Sequence, residues 1–287
     1  MAPSTLSPCL QRSDGHRWTV TREPEIDFEA TFYRQTAVVK EALKDIRPSS
    51  RGRPQMYFVG VAPYSGHEVF KKEIQGARAV FDERFGTSGR SIVLINHPDT
   101  TASVPLASTI NLGSVLNRIG EVMEPEKDVL ILFITTHGAK EWLSVSFPGF
   151  PLNQITPEGL SRMLKKSGIK NKVLIISACH SGSFIPALKD NDTLIMTAAH
   201  ADKKSFGCSN EREWTYFGDA LFNHALRNTQ SFPQAFVKAS EIIKEWEEKQ
   251  SLTPSDPQIS IGSSISRVLE GFTKTEVRLN AVQKGHN

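Results

Sequence analysis

The sequence predicts one α/β domain built as a three-layer α/β/α sandwich around a mostly parallel central sheet. Short apolar runs of strand length alternate with amphipathic helical stretches along most of the chain. These runs are continuously apolar rather than alternating, as strands covered on both faces are. At 287 residues and 39% hydrophobic content, the chain holds apolar material for one large core, or at most two small ones.

The elements follow in order. Residues 1–25 carry three prolines and no apolar period, and read as irregular. From Phe28 to Ile46 a helical stripe runs through Phe32, Val39, Leu43 and Ile46, ending in the linker-like stretch from Pro48 to Gly52. Met56–Val61 reads as the first buried strand. A helix from Val69 to Phe85 follows, with Phe70, Ile74, Ala77 and Phe81 on one face and Gly86 closing it. Ser91–Ile95 is the second strand, and Asn96–Ala107 a loop. A helix over Ile110–Met123 buries Leu112, Val115, Leu116 and Ile119. Asp128–Thr135 is the third strand. Trp142–Phe147 and Phe150–Ile155, on either side of Pro148-Gly149, predict a hairpin. Thr156-Pro157 opens a helix that stops near Gly168. Val173–Ser177 and Thr193–Ala198 are the fourth and fifth strands, and residues 200–213 a polar loop. Two helices, Tyr216–Leu226 and Phe232–Lys249, come next. Ser231 and Gln234 stand in capping-box spacing before the second. Ile259–Ile261 is a last strand.

Composition narrows the function. Lys+Arg 34 against Asp+Glu 31 gives a net charge of +3. The basic residues are scattered, so no nucleic-acid face is expected. Three cysteines (Cys9, Cys179, Cys208) form no disulfide framework. Neither CxxC nor HExxH occurs, and no metal or organic cofactor is expected. The longest apolar run, Val129–Ile134, is far below the roughly 20 residues of a membrane span. The N-terminus as written has no apolar signal-peptide region. The expectation is therefore cytoplasmic, with a periplasmic or secreted location open if the N-terminus is incomplete. Ala62–His67 fits neither GxGxxG nor GxxxxGK[ST], which speaks against a nucleotide-binding domain.

In parallel sheets reactive groups gather beyond the carboxyl ends of the strands. The third strand runs into Thr136-His137-Gly138, and the fourth into Ala178-Cys179-His180-Ser181-Gly182. If the two strands pair in parallel, His137 and Cys179 share a rim. A thiol beside an imidazole is a nucleophile with its base. The backbone N–H groups of Gly138 and Cys179 would form an oxyanion hole. Ala178, Ser181 and Gly182 leave room for an extended peptide. His180 reads as structural, its side chain directed away from the site, and Cys208 as a wall of the polar loop.

His-Gly after one strand and Ser-Ala-Cys-His-Ser-Gly after the next resemble the caspase-fold cysteine peptidases, and most closely the legumain family with its bacterial members, peptidase family C13. Thr197-Ala198-Ala199, Ser205-Phe206-Gly207-Cys208 and Thr215-Tyr216-Phe217-Gly218-Asp219 agree with it. The similarity spans about Met56 to Gly262. It implies a caspase-like sandwich and a cysteine endopeptidase working through an acyl-enzyme on a peptide or protein substrate. Cys179 would be the nucleophile and His137 the proton shuttle. His67, Ser177, Ser205 and Asp219 match substrate-binding positions. Gly66 replaces an Arg of legumain, Ser177 replaces a Glu, and Tyr64 stands nearest to the Asn that supports the legumain histidine. A caspase-like Arg for an acidic P1 residue is missing from the His67 loop. An unpaired Asp219 would favour Asn or a basic residue at P1.

The implied organisation is an irregular arm plus helix over 1–50, a peptidase domain over 51–272 and a frayed polar tail over 273–287. A transpeptidase or ligase using the same acyl-enzyme, and a latent or inactive interaction module, are the competing readings.

Overall fold

The computed structural model describes residues 10–11, 19–20, 26–50 and 52–272. Cys9, most of the arm expected to be irregular and the tail over 273–287 lie outside them. Within that arm β1 (Leu10–Gln11) and β2 (Thr19–Val20) pair antiparallel, so these residues are not irregular.

The main sheet draws on six strands. β3 (Met56–Ala62), β4 (Ser91–Ile95) and β5 (Val129–Thr135) precede a small separate pair, β6 (Gly138–Ala139) and β7 (Trp142–Leu143). β8 (Asn171–Ser177), β9 (Thr193–Thr197) and β10 (Gln258–Ile261) complete it. The spatial order is β10-β9-β8-β5-β3-β4. Every pairing is parallel except that of β10 with β9.

Successive side chains of a strand point to opposite faces, and here both faces are buried. Val129, Ile131 and Phe133 of β5 enter one core cluster, and Leu130, Leu132 and Ile134 the other. β8 divides in the same way, Val173 and Ile175 against Leu174 and Ile176. This double burial is why the strands read as unbroken apolar runs.

Helices cover both faces. α1 (Phe28–Lys44), α2 (Glu68–Arg84), α3 (Thr109–Val122), α4 (Pro157–Lys166) and α5 (Ile185–Leu188) are joined by α6 (Tyr216–Gly218), α7 (Phe232–Lys249) and a helix over 263–272. α2 and α7 pack on one face, and α3 and α4 on the other. The starts follow from side-chain caps. Asp27, Ser108, Thr156 and Ser231 accept from the N–H of Ala30, Asn111, Gly159 and Gln234 respectively. The reciprocal half of the box at Ser231 is absent: its N–H donates to Thr229 Oγ1, which donates to Gln234 Oε1.

Three expectations are corrected. Phe32 is 61% exposed; the inward face of α1 is Thr31, Gln35, Val38 and Val39. Gln35 Oε1 sets it by accepting from Leu106 N–H at 2.8 Å and Asn111 Nδ2 at 3.1 Å. The hairpin about Pro148-Gly149 does not form. Leu143 bridges Ile155 alone, and the backbone of Val145 pairs with the Gln154 side chain, N–H to Oε1 at 2.8 Å and O to Nε2 at 3.0 Å. The helix over Tyr216–Leu226 is α-helical only as α6 and continues as a π-helical stretch over Asp219–Ala225.

From β3 the chain crosses by α2 to β4, then returns by α3 to β5 on the other side of β3. The strand order reverses there. In open α/β sheets ligands bind beyond the carboxyl ends of the strands at such a reversal, here those of β3 and β5.

Candidate active site

β5 and β8 pair with Thr135 opposite Ser177. His137 and Cys179 therefore each stand two residues beyond a matched pair. Thr136 N–H extends the ladder to Ser177 O at 3.1 Å. The two strand ends then touch. A Cβ at position 138 would overlap the Cys179 carbonyl and approach Ala178 Cβ at 3.0 Å. Gly138 is thus required by this contact, a reason separate from any approach of substrate.

The segment after β3 meets the same rim. His137 Nε2 and His67 Nδ1 are 3.0 Å apart. Tyr64 and Phe70 present their rings edge-on to the His137 imidazole, at 4.6 Å and 5.1 Å between centroids. Burial, and then the His67 charge, push the His137 pKa below its ordinary 6.5. The imidazole is neutral near pH 7, the form that accepts a proton. His67, expected in a substrate pocket, lies beside the imidazole instead, as the N-cap residue of α2.

Cys179 Sγ accepts the Ser205 N–H at 3.3 Å, with Ser205 Oγ at 3.8 Å, and donates to Ser205 O at 3.6 Å. Ser205 is thus placed against the thiol. The next residue, His180, is left-handed at φ 57. Its N–H bonds Lys203 O at 2.8 Å, and its ring Nδ1 faces Ala201 O at 3.0 Å, so its side chain serves the loop. Cys208 is half-buried in that loop. Burial, then Cys179 and Glu73, push its thiol up to about 12, and it stays protonated.

Two expected substrate residues are revised. Ser177 is only 2% exposed, and its hydroxyl shares a hydrogen bond with Thr215 Oγ1 at 3.0 Å. It faces the interior under the rim. Asp219 is not unpaired. Its carboxylate accepts from Asn223 Nδ2 at 3.0 Å, with Arg212 Nη2 at 3.8 Å and His224 Nε2 at 3.7 Å. Its side chain keeps 20% exposure.

Sequence reasoning passed over Glu73, which is fully buried on α2 beneath the rim. The signal was present: a lone acid between Phe70 and Ala77 on the apolar face of a helix. Among the described residues, Glu68, His97 and Asp99 form the one group spaced to hold a metal ion. Lys71 Nζ already fills it, 2.9 Å from Glu68 Oε2 and 3.2 Å from both His97 ring nitrogens. Among the described residues no helix is long and apolar enough to cross a membrane.

Comparisons place this arrangement. No curated protein is significantly similar in sequence. The fold resembles the crystal structure of caspase-1 from Spodoptera frugiperda, with a TM-score of 0.52 and 14% identity over 75% of this chain and 88% of that one. The profile of the peptidase C13 family matches residues 111–267, which include both strand ends described above. The chain is therefore a cysteine-type peptidase of caspase-like α/β/α fold and belongs to the peptidase C13 family.

Proposed function

We propose that the chain is an endopeptidase in which Cys179 is the nucleophile and His137 the general base and acid. His137 takes the Cys179 proton as Sγ attacks the scissile carbonyl. The C–N bond then breaks as the imidazolium protonates the leaving amine. Water, deprotonated by His137, hydrolyses the thioester and frees the enzyme. The Gly138 and Cys179 N–H groups stabilise the oxyanion. His67 orients the imidazole through Nε2, which leaves Nδ1 for proton transfer; among the described residues it has no hydrogen-bond partner. The observation that carries this reading is the matched position of the two residues beyond Thr135 and Ser177.

Ser205 and the exposed part of Asp219 line the P1 side in this reading. Arg212 beside Asp219 offsets part of its charge. This ranks the neutral amide of Asn above Lys or Arg at P1. A P1-scanning fluorogenic peptide library, applied to wild type and Cys179→Ala, tests the assignment. Wild type is expected to cleave after Asn first, and Cys179→Ala to lose at least about 1,000-fold in kcat/KM. Undiminished cleavage by Cys179→Ala would falsify the nucleophile assignment. A preference for Asp at P1 would overturn the specificity.

A further inference from the structure

Among the described residues, Glu73 is the one buried carboxyl group beneath the rim, and the proposed mechanism does not use it. Its Oε2 accepts from Thr135 Oγ1, two residues before His137. Its Oε1 accepts from Thr215 Oγ1 at 2.6 Å and Thr215 N–H at 3.2 Å. Thr215 Oγ1 in turn pairs with Ser177 Oγ at 3.0 Å, two residues before Cys179. It also accepts from Gly218 N–H at 3.1 Å. A chain of side chains thus runs from the end of β5 to the end of β8: Thr135, Glu73, Thr215, Ser177.

With Glu73 ionised, the donor directions in this chain are fixed. The carboxylate only accepts, so both threonine hydroxyls donate to it. Thr215 Oγ1 has then used its proton, so Ser177 must donate to it. The backbone is also shaped around the carboxylate, because a Cβ at Gly218 would overlap Glu73 Oε1. Among the described residues no cation pairs with Glu73. Burying a carboxyl group without one is costly. A clamp that needed only packing is served as well by an apolar side chain.

We propose that Glu73 is a positioning residue for the Cys179 and His137 pair, its carboxylate tying the ends of β5 and β8 together through Thr215. This rests on the reading of Cys179 as nucleophile. Protonation of Glu73 on Oε2 puts a donor against the Thr135 hydroxyl, which must then turn from donor to acceptor, and the link to the end of β5 rearranges. The carboxyl lies at about 7, raised by burial and by Asp219 against the bonds from Thr135 and Thr215. The other titratable groups around it are Cys208 and, past Thr135, His137.

The test compares wild type, Glu73→Gln, Thr135→Val and the double variant on the best peptide. Each single variant is expected to lose at least about tenfold in kcat with KM within about threefold. The double variant is expected to be no worse than the worse single, because both cut one link. The acid limb of the wild-type kcat profile, near pH 7, is expected to move below pH 6.5 in Glu73→Gln, where His137 alone sets it. At pH 8 the melting temperature of Glu73→Gln is expected to equal or exceed that of wild type. A kcat for Glu73→Gln within twofold of wild type overturns the proposal. So do losses that multiply in the double variant, or that follow loss of folded protein.

If no peptide is cleaved, iodoacetamide alkylation read at the Cys179 peptide by mass spectrometry carries the same comparison. Its rate is expected to fall at least about fivefold in Glu73→Gln, and an unchanged rate overturns the proposal. Cleavage by Cys179→Ala, by contrast, sinks the underlying reading and not the role of Glu73 as a clamp.

Discussion

At the scale of single residues, the His67–His137 pair is the feature that motif spacing could not show. Two imidazoles 3.0 Å apart cannot both be protonated without repulsion, and burial already disfavours charge on His137. One ring nitrogen of His137 is held by His67, and the ring packs against Tyr64 and Phe70, so it has little rotational freedom. Replacing His67 by Ala removes the orienting bond and leaves the aromatic edges. With His137 as the proposed base, we expect kcat to fall about 10- to 100-fold, a part of the roughly 10²–10⁴-fold that a positioned general base contributes, with KM changed less than threefold. In a Glu73→Gln background, where His137 alone sets the acid limb, adding His67→Ala is expected to shift that limb toward higher pH, because the like charge that lowers the His137 pKa is gone. Steady-state kinetics from pH 5 to 8 check both. A rise in KM with kcat unchanged returns His67 to the substrate pocket.

At the scale of elements, legibility in the sequence depended on what satisfied the backbone. β5 and β8 were readable because each is buried on both faces and bonded to strands on both sides, which leaves an apolar run as the only composition that fits. α3 was readable because its buried stripe is all aliphatic. Val39 and Leu43 of α1, and Ile46 just beyond it, pack inward as read, and Phe32 alone was misplaced, because a glutamine, not a phenylalanine, anchors that part of the helix. The stretch after β7 alternates like a hairpin, yet Gln154 supplies the donor and the acceptor that a partner strand would have given Val145. Period and propensity do not register such side-chain substitutes. The rim followed the same division. The shared rim position of Cys179 and His137 was legible because they end readable strands, whereas the surroundings of Ser177 depend on Thr215, far away in sequence, and those of Asp219 on how the loop and π-helical stretch beside it turn. Val145 is buried, so Gln154→Ala leaves its N–H and C=O without partners in the interior. The expected cost is about 2 kcal/mol, read from urea unfolding. An effect below about 0.5 kcal/mol shows that the segment finds another partner.

At the scale of the whole molecule, the sheet brings three separate strand ends to one rim, and a buried acid lies beneath it. Holding that acid has a cost that pH exposes. The Glu73 carboxyl sits at about 7 in the folded protein against an ordinary 4.5. Below pH 4.5 it is protonated in both states and contributes no difference. Between 4.5 and 7 the folded state keeps a proton that the unfolded chain has released, so stability falls as pH rises through this window. The size is about 3 kcal/mol by the usual conversion of pKa difference to free energy. His137 acts in the opposite sense. Its pKa is lowered on folding, so its contribution is lost as pH falls below 6.5. Comparing wild type with Glu73→Gln cancels the histidine and isolates the acid. In urea unfolding at pH 5 and pH 8, the stability of the Gln variant relative to wild type is expected to rise by about 2 to 3 kcal/mol toward the higher pH. A difference that does not change with pH means that Glu73 titrates alike in folded and unfolded chains. Together with a tenfold loss of kcat, the expected gain would show a carboxylate retained at the expense of stability because the strand ends require it.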